Sequence, residues 1–448
     1  MKKLIGALAL SLLAAVQPAT AQSILRDAET ESLLADMSAP LVKAAGLNPR
    51  DVKVVLINDE SINAFVAGGQ VVYLHSGTIH NADTANEVQG VIAHELGHIT
   101  GGHVPLGDRA IKPALGIQIL SLALGIAAAA AGSGEGAAGI IAAGQQVALA
   151  NYLAFSRAQE ASADAAGAKY LNASGITGRG YLSFFAKLQK LENRYGITRQ
   201  DNFQLDHPVS SERIANLTET LEAAPAWNKP ADPEMQIRFL RVKAKLAGYV
   251  NEPPRTLIEY PLTDQSIYAH YARAYAYHKG GYPQKANAET DALIKAAPDD
   301  PYFLEIKGQI LLESGKPREA IVPLREATLA TNYQPLIATT FGHALIATED
   351  KANYAEAEKA LRLAVARDDD NPFAWYQLGV VYELRGDQPR AMLATAERAS
   401  LTGDLRTAAY SARVAMNGLP QNSNDWIRAQ DIALTAQNQL DDQKGKKR

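Results

Sequence analysis

The chain has 448 residues, of which 47% are hydrophobic and 21% are charged, a composition typical of globular proteins and not of disordered chains. A formal net charge of −4 provides no overall positive field, so nucleic acid is not expected as a partner, and the basic run at 444–448 is expected to be a solvated tail. The absence of cysteine excludes disulfides, thiolate metal ligands and a lipid anchored through cysteine.

Residues 1–21 are typical of an export signal that is removed from the mature protein. Two lysines precede an apolar segment at 4–16, and the small residues at 19–21 form a cleavage site. We therefore expect cleavage after Ala21 and a periplasmic location. An uncleaved anchor helix is the alternative, and the shortness of the apolar segment argues against it.

Two strands are predicted after a helix at about 26–46. Residues 51–58 are rich in β-branched side chains, and residues 70–74 form a second strand after the Gly-Gly turn at 68–69. We expect the second strand to be an exposed edge, where an extended peptide substrate could pair with the backbone. Its substrate-binding residues would be Gln70, Val71, Val72 and Tyr73. A strand fully paired within the sheet is the alternative.

The sequence HELGH at 94–98 lies in a predicted helix at 87–99. Positions i and i+4 of a helix share a face, so His94 and His98 can bind one Zn²⁺, while Glu95 can reach a water on the metal. This arrangement is typical of a metallopeptidase whose glutamate is the general base. A surface helix that happens to carry two histidines is the alternative.

Residues 115–150 form an unusual segment rich in alanine and glycine, and 114–132 contains no charged residue. The segment is long enough to span a membrane, but its small side chains and a glutamine make insertion weak. We favour a lid over a cleft or a hairpin on a membrane surface, which would allow peripheral membrane association. A buried helical hairpin is the alternative.

Glu160 and Asp164 share one face of the next predicted helix, at 151–172. A catalytic zinc ion needs a third protein ligand, and we interpret Glu160 as that ligand. Asp164 would then accept the imidazole N–H of His94 and so orient its ring. On spacing alone, two ordinary surface carboxylates would be the better interpretation.

A proline-containing linker at 226–233 precedes a helical region at 234–443, in which Gly308, Gly342 and Gly379 recur 34 and 37 residues apart. The most regular unit resembles the tetratricopeptide signature. It contains Trp375, Leu378, Gly379, Tyr382 and Ala391. Such hairpins stack into a solenoid whose concave face suits peptides or protein segments. An irregular helical bundle is the alternative.

Several separated motifs resemble those of the gluzincin peptidases related to HtpX and the CAAX prenyl endopeptidase. They are Asn-Ala-Phe at 63–65, Gly-Gly at 68–69, HELGH at 94–98, SRxxExxAD at 156–164, and His207-Pro208 followed by Arg213. The resemblance implies one Zn²⁺ per chain, with His94, His98 and Glu160 as ligands and Glu95 as the base. HtpX-like members have clear membrane spans that this chain lacks, which favours a soluble or peripheral enzyme.

Two residues after the metal motifs are further candidates, and the resemblance implies a role for the first of them, His207. His207 would occupy the fourth zinc position as a regulatory ligand and so close the resting site, since neutral imidazole binds zinc well. Stabilising an oxyanion, or a structural position at a proline turn, are its alternatives. Arg213 would bind a substrate carbonyl or an oxyanion, and an ion pair on a helix surface is its alternative.

The predicted fold class is α+β and mostly helical. A zincin-like metallopeptidase domain with a small sheet at 22–225 is followed by an all-α solenoid of tetratricopeptide repeats. The resemblance implies a periplasmic zinc endopeptidase that hydrolyses misfolded or misassembled outer-membrane proteins. The repeats would bind β-barrel proteins or the machinery that assembles them. The alternative function is a chaperone or scaffold for outer-membrane protein assembly, in which proteolysis is minor.

Overall fold

The computed structural model describes residues 24–103, 156–195, 207 and 210–445. The predicted export signal and the Ala/Gly-rich segment lie outside the described residues, so both stay predictions. Among the described helices, none has the length and apolar character needed to cross a membrane.

The chain divides into two compact units. The first unit comprises Ser38–Lys229 together with the residues up to Leu25, and the second comprises Arg26–Met37 and Pro230–Arg448. The division between Lys229 and Pro230 falls inside the predicted linker. The segment Arg26–Met37, expected in the first domain, belongs to the second unit.

The first unit contains a small mixed sheet with the strand order β1-β2-β4-β3. Its strands are β1 (Ile24–Leu25), β2 (Lys53–Ile57), β3 (Ala64–Ala67) and β4 (Val71–His75). β2 and β4 are parallel, whereas β3 and β4 form an antiparallel hairpin. Gly68 and Gly69, with φ of 61° and 98°, make the hairpin turn because glycine adopts positive φ without steric cost.

The prediction that the strand at 70–74 is an exposed edge is wrong. β4 is hydrogen-bonded to β2 on one side and to β3 on the other, and the carbonyl of Gln70 accepts a hydrogen bond from the N–H of Lys53. The backbones of Gln70, Val71, Val72 and Tyr73 therefore lie within the sheet. The short β3 was not recognised as a strand, and among the described strands it is β3 that lies at this end of the sheet.

Six α-helices accompany these strands along the described chain, and the first of them belongs to the second unit up to Met37. They are α1 (Ala28–Ala44), α2 (Ser76–Asn81), α3 (Ala85–Gly101), α4 (156–173), α5 (Arg179–Tyr195) and α6 (Ser211–Glu222). The side chain of Thr84 caps α3 by accepting the N–H of Glu87. Every residue of α3 from Ala85 to His98 is buried, so the helix is central to the unit and is not a surface helix.

Two glycines bring neighbouring helices close to α3. A Cβ at Gly97 would lie 2.6 Å from the carbonyl oxygen of Ala163 on α4, and one at Gly90 would lie 2.6 Å from the Cα of Tyr181 on α5. Real Cβ atoms do not approach other atoms so closely, so these contacts require glycine. α4 and α5 can therefore present side chains directly to the face of α3 that carries His94.

The second unit is built almost entirely from helices. They are α7 (Pro233–Val250), α8 (Pro253–Glu259), α9 (Ile267–Lys279), α10 (Pro283–Ala296), α11 (Pro301–Glu313), α12 (Pro317–Ala330), α13 (Pro335–Ala347), α14 (Tyr354–Arg367), α15 (Pro372–Leu384), α16 (Gln388–Leu401), α17 (Leu405–Gly418) and α18 (Asn424–Gly445). Most begin with proline at the first helical position, where its missing N–H costs nothing.

Two of the three recurring glycines lie where the helices of a pair cross too closely for a side chain, whereas Gly379 has room for one. Cβ atoms at Gly308 and Gly342 would lie 2.4 Å and 2.5 Å from the Cγ atoms of Leu324 and Leu361 in the partner helices. The helix pairs and these contacts match the predicted repeat. The predicted fold class, a zincin-like domain with a small sheet followed by a helical solenoid, is confirmed.

Candidate metal centre

Four buried side chains from three parts of the first unit converge into one group, here called the metal cluster: His94, His98, Glu160 and His207. One ligand atom from each lies within 4.8 Å of the others. The Nε2 atoms of His94 and His98 are 3.1 Å apart. Each lies 3.4 Å from an oxygen of Glu160. Glu160 is 4% exposed, which excludes an ordinary surface carboxylate.

The chemistry of the metal cluster fits a divalent cation. The Nδ1 of His94 lies 3.0 Å from Oδ1 of Asp164, so that nitrogen keeps its proton, and Nε2 faces the cluster, where its lone pair can bind a cation in place of a proton. Lone pairs of His98 and Glu160 face the same point and repel one another unless a cation lies between them. Two ligand atoms on a tetrahedral zinc ion are about 3.4 Å apart, which agrees with the observed separations.

A second layer of side chains holds the cluster in place. Asp164 accepts hydrogen bonds from the Tyr181 hydroxyl at 2.9 Å and from Nε of Arg213 at 2.7 Å. Burial opposes the ionisation of Asp164, but the hydrogen bonds from Arg213 and His94 outweigh it and lower its pKa to about 2. Asp164 is therefore an anion that can orient His94.

Arg213 is part of this second layer. Its Nη1 lies 3.0 Å from Oε2 of Glu160, its guanidinium contacts Asp164, and its Cζ lies 5.2 Å from the centre of the Phe185 ring. The residue is only 8% exposed, so its ion pairs are internal and not on a helix surface. With its guanidinium engaged by two carboxylates, Arg213 is placed to position them.

Glu95 and His207 lie beside one another at the cluster. Glu95 is completely buried, and its Oε1 lies 3.7 Å from Nε2 of His207. The Nδ1 of His207 lies 3.0 Å and 3.1 Å from the two carboxylate oxygens of Glu160. The strand residues at 70–73 are not members of this group.

Tyr181 was missed by the sequence analysis. Its hydroxyl lies 2.9 Å from Nδ1 of His94 as well as contacting Asp164, and the residue is fully buried. No local motif marks it, because its partners are distant in sequence. The apolar face of α5, which also carries Phe184 and Phe185, was the available signal that Tyr181 lies in the core.

Comparison with known proteins identifies one matching family and several relatives. Residues 26–221 match Peptidase family M48. The chain is 25% identical over 385 residues to the beta-barrel assembly-enhancing protease of Yersinia pestis, covering 83% of this chain and 76% of that protein. It is 26% identical over 394 residues to the protein of that name from Escherichia coli (strain K12), with the same coverage.

A shorter relative matches a smaller part of this chain. Metalloprotease LoiP of Escherichia coli (strain K12) is 33% identical over 181 residues, which is 39% of this chain and 64% of that protein. Among solved structures, YrrB, described as a TPR protein with an unusual peptide-binding site, is 20% identical with a TM-score of 0.33 and covers 39% of this chain and 91% of that one.

Proposed function

We propose that this zinc metalloprotease, whose residues 26–221 match Peptidase family M48, hydrolyses misfolded or misassembled outer-membrane proteins in the periplasm. The proposal depends on one observation. The imidazoles of His94 and His98 and the carboxylate of Glu160 converge beside the buried Glu95. Peptide hydrolysis by a metal needs these groups and an open position for water.

We assign His94, His98 and Glu160 as the zinc ligands and Glu95 as the general base. Zinc bound by these residues activates water and polarises the scissile carbonyl. Glu95 follows the first ligand directly in sequence and is buried at the cluster, which supports its role. It accepts a proton from the attacking water and donates it to the amide nitrogen as the C–N bond breaks.

The variant Glu95→Gln tests this assignment. Its amide cannot accept the proton, so we expect peptide cleavage to fall by about 10²- to 10⁴-fold while zinc content, measured by atomic emission, stays at one ion per chain. Glu219→Gln on the exposed surface of α6 is the matched control and should cleave normally. Full activity of Glu95→Gln would refute the assigned base.

We propose that His207 is a fourth ligand that closes the resting site. Its Nδ1 lies 3.3 Å from Nε2 of His94 and within hydrogen-bond distance of both oxygens of Glu160, which supports the proposal. An imidazole in the fourth position excludes the water that hydrolysis requires. The enzyme would then become active when a substrate or partner withdraws His207.

Similarity over both units supports the proposed substrate class. The named beta-barrel assembly-enhancing proteases align with 83% of this chain, so the alignment extends beyond the peptidase domain. We propose that the repeats bind β-barrel proteins or their assembly machinery and that residues 1–21 direct export. Expressing Glu95→Gln in the periplasm and identifying co-purifying proteins tests the substrate class, with wild-type protein as the control.

The second candidate function is a chaperone or scaffold in which cleavage is minor. The position of His207 in the metal cluster supports it, because an imidazole bound as the fourth ligand would close the site at rest. The two functions differ in one genetic test. If Glu95→Gln restores every phenotype of a deletion strain, binding is the main function, whereas failure to complement supports proteolysis.

A further inference from the structure

At the C-terminal end of α3 the chain reverses direction. A third histidine, His103, therefore lies against the HELGH motif. Gly102 has a φ of 63°, and its N–H bonds to the carbonyls of His98 and Ile99. This left-handed residue ends the helix and reverses the chain. As a result, Nδ1 of His103 lies 2.8 Å from Nδ1 of His98.

Gly101 provides the space for this return. A Cβ at Gly101 would lie 2.3 Å from Nε2 of His103 and 2.7 Å from its Cε1. Any larger residue would therefore displace the imidazole from the end of α3. The two glycines have different functions, since Gly102 supplies the positive φ and Gly101 leaves room for the ring.

The tautomer of His98 determines which of the two Nδ1 atoms donates the hydrogen bond. Nε2 of His98 faces the metal cluster, 3.4 Å from Oε1 of Glu160, and a neutral imidazole that binds through Nε2 carries its proton on Nδ1. That proton points to Nδ1 of His103, which must then be the acceptor and hold its own proton on Nε2. His94 donates its corresponding proton to Asp164.

We propose that His103 is a positioning residue for the zinc ligand His98, delivered by the Gly101-Gly102 turn. By accepting the Nδ1 proton of His98, it fixes the tautomer and the orientation of that ring before zinc binds. The Nδ1 protons of the two motif histidines thus have different acceptors. The acceptor is an anionic carboxylate for His94 and a neutral imidazole for His98. The inference rests on the proposed ligand role of His98.

Zinc affinity of the full mature protein tests the proposal by chelator competition. Losing a residue that orients a metal ligand typically weakens affinity by about 10- to 100-fold, and this is the loss expected for His103→Ala. His103→Asn should stay close to wild type because its amide oxygen can reach the position of Nδ1. His103→Gln, whose amide lies nearer the position of Nε2, should resemble His103→Ala. His278→Ala, in the second unit, is the control.

Gly101→Ala is an independent test, because it keeps His103 but leaves no room for its ring. We expect it to weaken zinc binding as His103→Ala does. A second readout is the imidazole ¹⁵N spectrum of the zinc-loaded protein, in which the Nδ1 proton of His98 should exchange with water faster in His103→Ala than in His103→Asn. A merely structural role for His103 would not separate those two variants.

The outcomes distinguish this inference from the proposed site. If His98→Ala still binds zinc as the wild type does, the ligand assignment fails. If His98→Ala loses zinc but His103→Ala and Gly101→Ala bind it within about twofold of wild type, only the positioning role is overturned. Equal losses in His103→Asn and His103→Ala would also contradict it, since the acceptor would then not matter.

Discussion

At the scale of single residues, the two histidines of the metal cluster differ in the groups that surround them and therefore in their pKa values. Burial opposes protonation of His94, but hydrogen bonds from the ring to Asp164 and Glu160 raise its pKa to about 9. Burial and the nearby charges of His94 and His207 lower the pKa of His98 to about 2. Two histidines one helical turn apart therefore meet different electrostatic environments, which the motif alone does not reveal.

His207→Ala is predicted to raise the rate of peptide cleavage, because the variant leaves the fourth zinc position open to water. Turnover of an unfolded substrate should increase while zinc content stays unchanged. His278→Ala, a histidine of the second unit, should leave the rate unchanged. A fall in turnover would instead favour the oxyanion-stabilising role, and an unchanged rate with unchanged zinc coordination would eliminate the regulatory ligand.

At the scale of elements, contact between α3 and α4 forms the metal cluster. The closest approach is at Gly97, inside the HELGH motif, where the backbone of Ala163 leaves no room for a Cβ. This contact positions Glu160 and Asp164 opposite the histidines. The spacing of the carboxylates indicates only that they share a face, and the backbone contact decides which surface that face meets.

Gly97→Ala is predicted to separate α3 from α4. Overpacking of this kind costs about 1–3 kcal/mol, and zinc affinity should fall as well, because Glu160 moves away from the two histidines. Gly379→Ala is the control, since its Cβ would lie 3.5 Å from the nearest atom, in Ala394. Thermal unfolding and chelator competition measure both effects. Wild-type zinc affinity in Gly97→Ala would contradict this account of the site.

Glu305 on α11 makes the stability of the second unit depend on pH. Burial raises its pKa from the ordinary 4.5 to about 8, Lys245 opposes the shift, and the charges of Asp27, Glu29 and Glu31 add to it. One carboxylate oxygen, Oε2, has no hydrogen-bond partner among the described residues. The folded state therefore holds a proton that the unfolded chain releases at lower pH.

The sign of the effect follows from the raised pKa. The stabilising contribution of protonated Glu305 is complete below about pH 4.5 and is lost as the pH rises to about 8. Glu305→Gln is predicted to be more thermostable than wild type at pH 8 and to differ little at pH 5. Glu319→Gln, exposed on α12, is the control. A difference in melting temperature that is the same at both pH values would refute the prediction.

At the scale of the whole molecule, each unit joins parts of the chain that are far apart in sequence. In the second unit, Asp27 lies 2.5 Å from Nζ of Lys245, and Glu29 lies 2.8 Å from Nη2 of Arg241. Lys245 is almost fully buried, so its charge requires these partners. The segment Arg26–Met37 therefore belongs to this unit through buried ion pairs. No local sequence pattern predicts these pairs, because the partners are distant along the chain.

Zinc removal is predicted to loosen the first unit. A ligand that binds only the folded state stabilises it by about 4.1 kcal/mol at 1,000 times its Kd, so amide exchange in α3 and α4 should accelerate by up to about 1,000-fold after chelation. Helices α13–α16 of the second unit serve as the internal control and should exchange at an unchanged rate. Unchanged exchange in α3 would contradict a zinc ion held by His94 and His98.

Local patterns in the sequence determined much of this protein. His94 and His98 lie within one helix, and so do Glu160 and Asp164. Each recurring glycine of the repeats lies within one helix pair. Short windows encode such features because side-chain periodicity follows directly from helix geometry. These windows, with the family resemblance, were enough to predict the fold class and the members of the metal cluster.

Only the tertiary structure decided which surfaces meet. It put β4 between β2 and β3, directed Tyr181 and Arg213 to Asp164, and returned His103 to His98. Strand order, buried ion pairs and backbone contacts depend on the packing of segments that are distant along the chain, and their energies appear only once those segments are in contact. A local pattern determines which face of an element is apolar, and packing determines what that face touches.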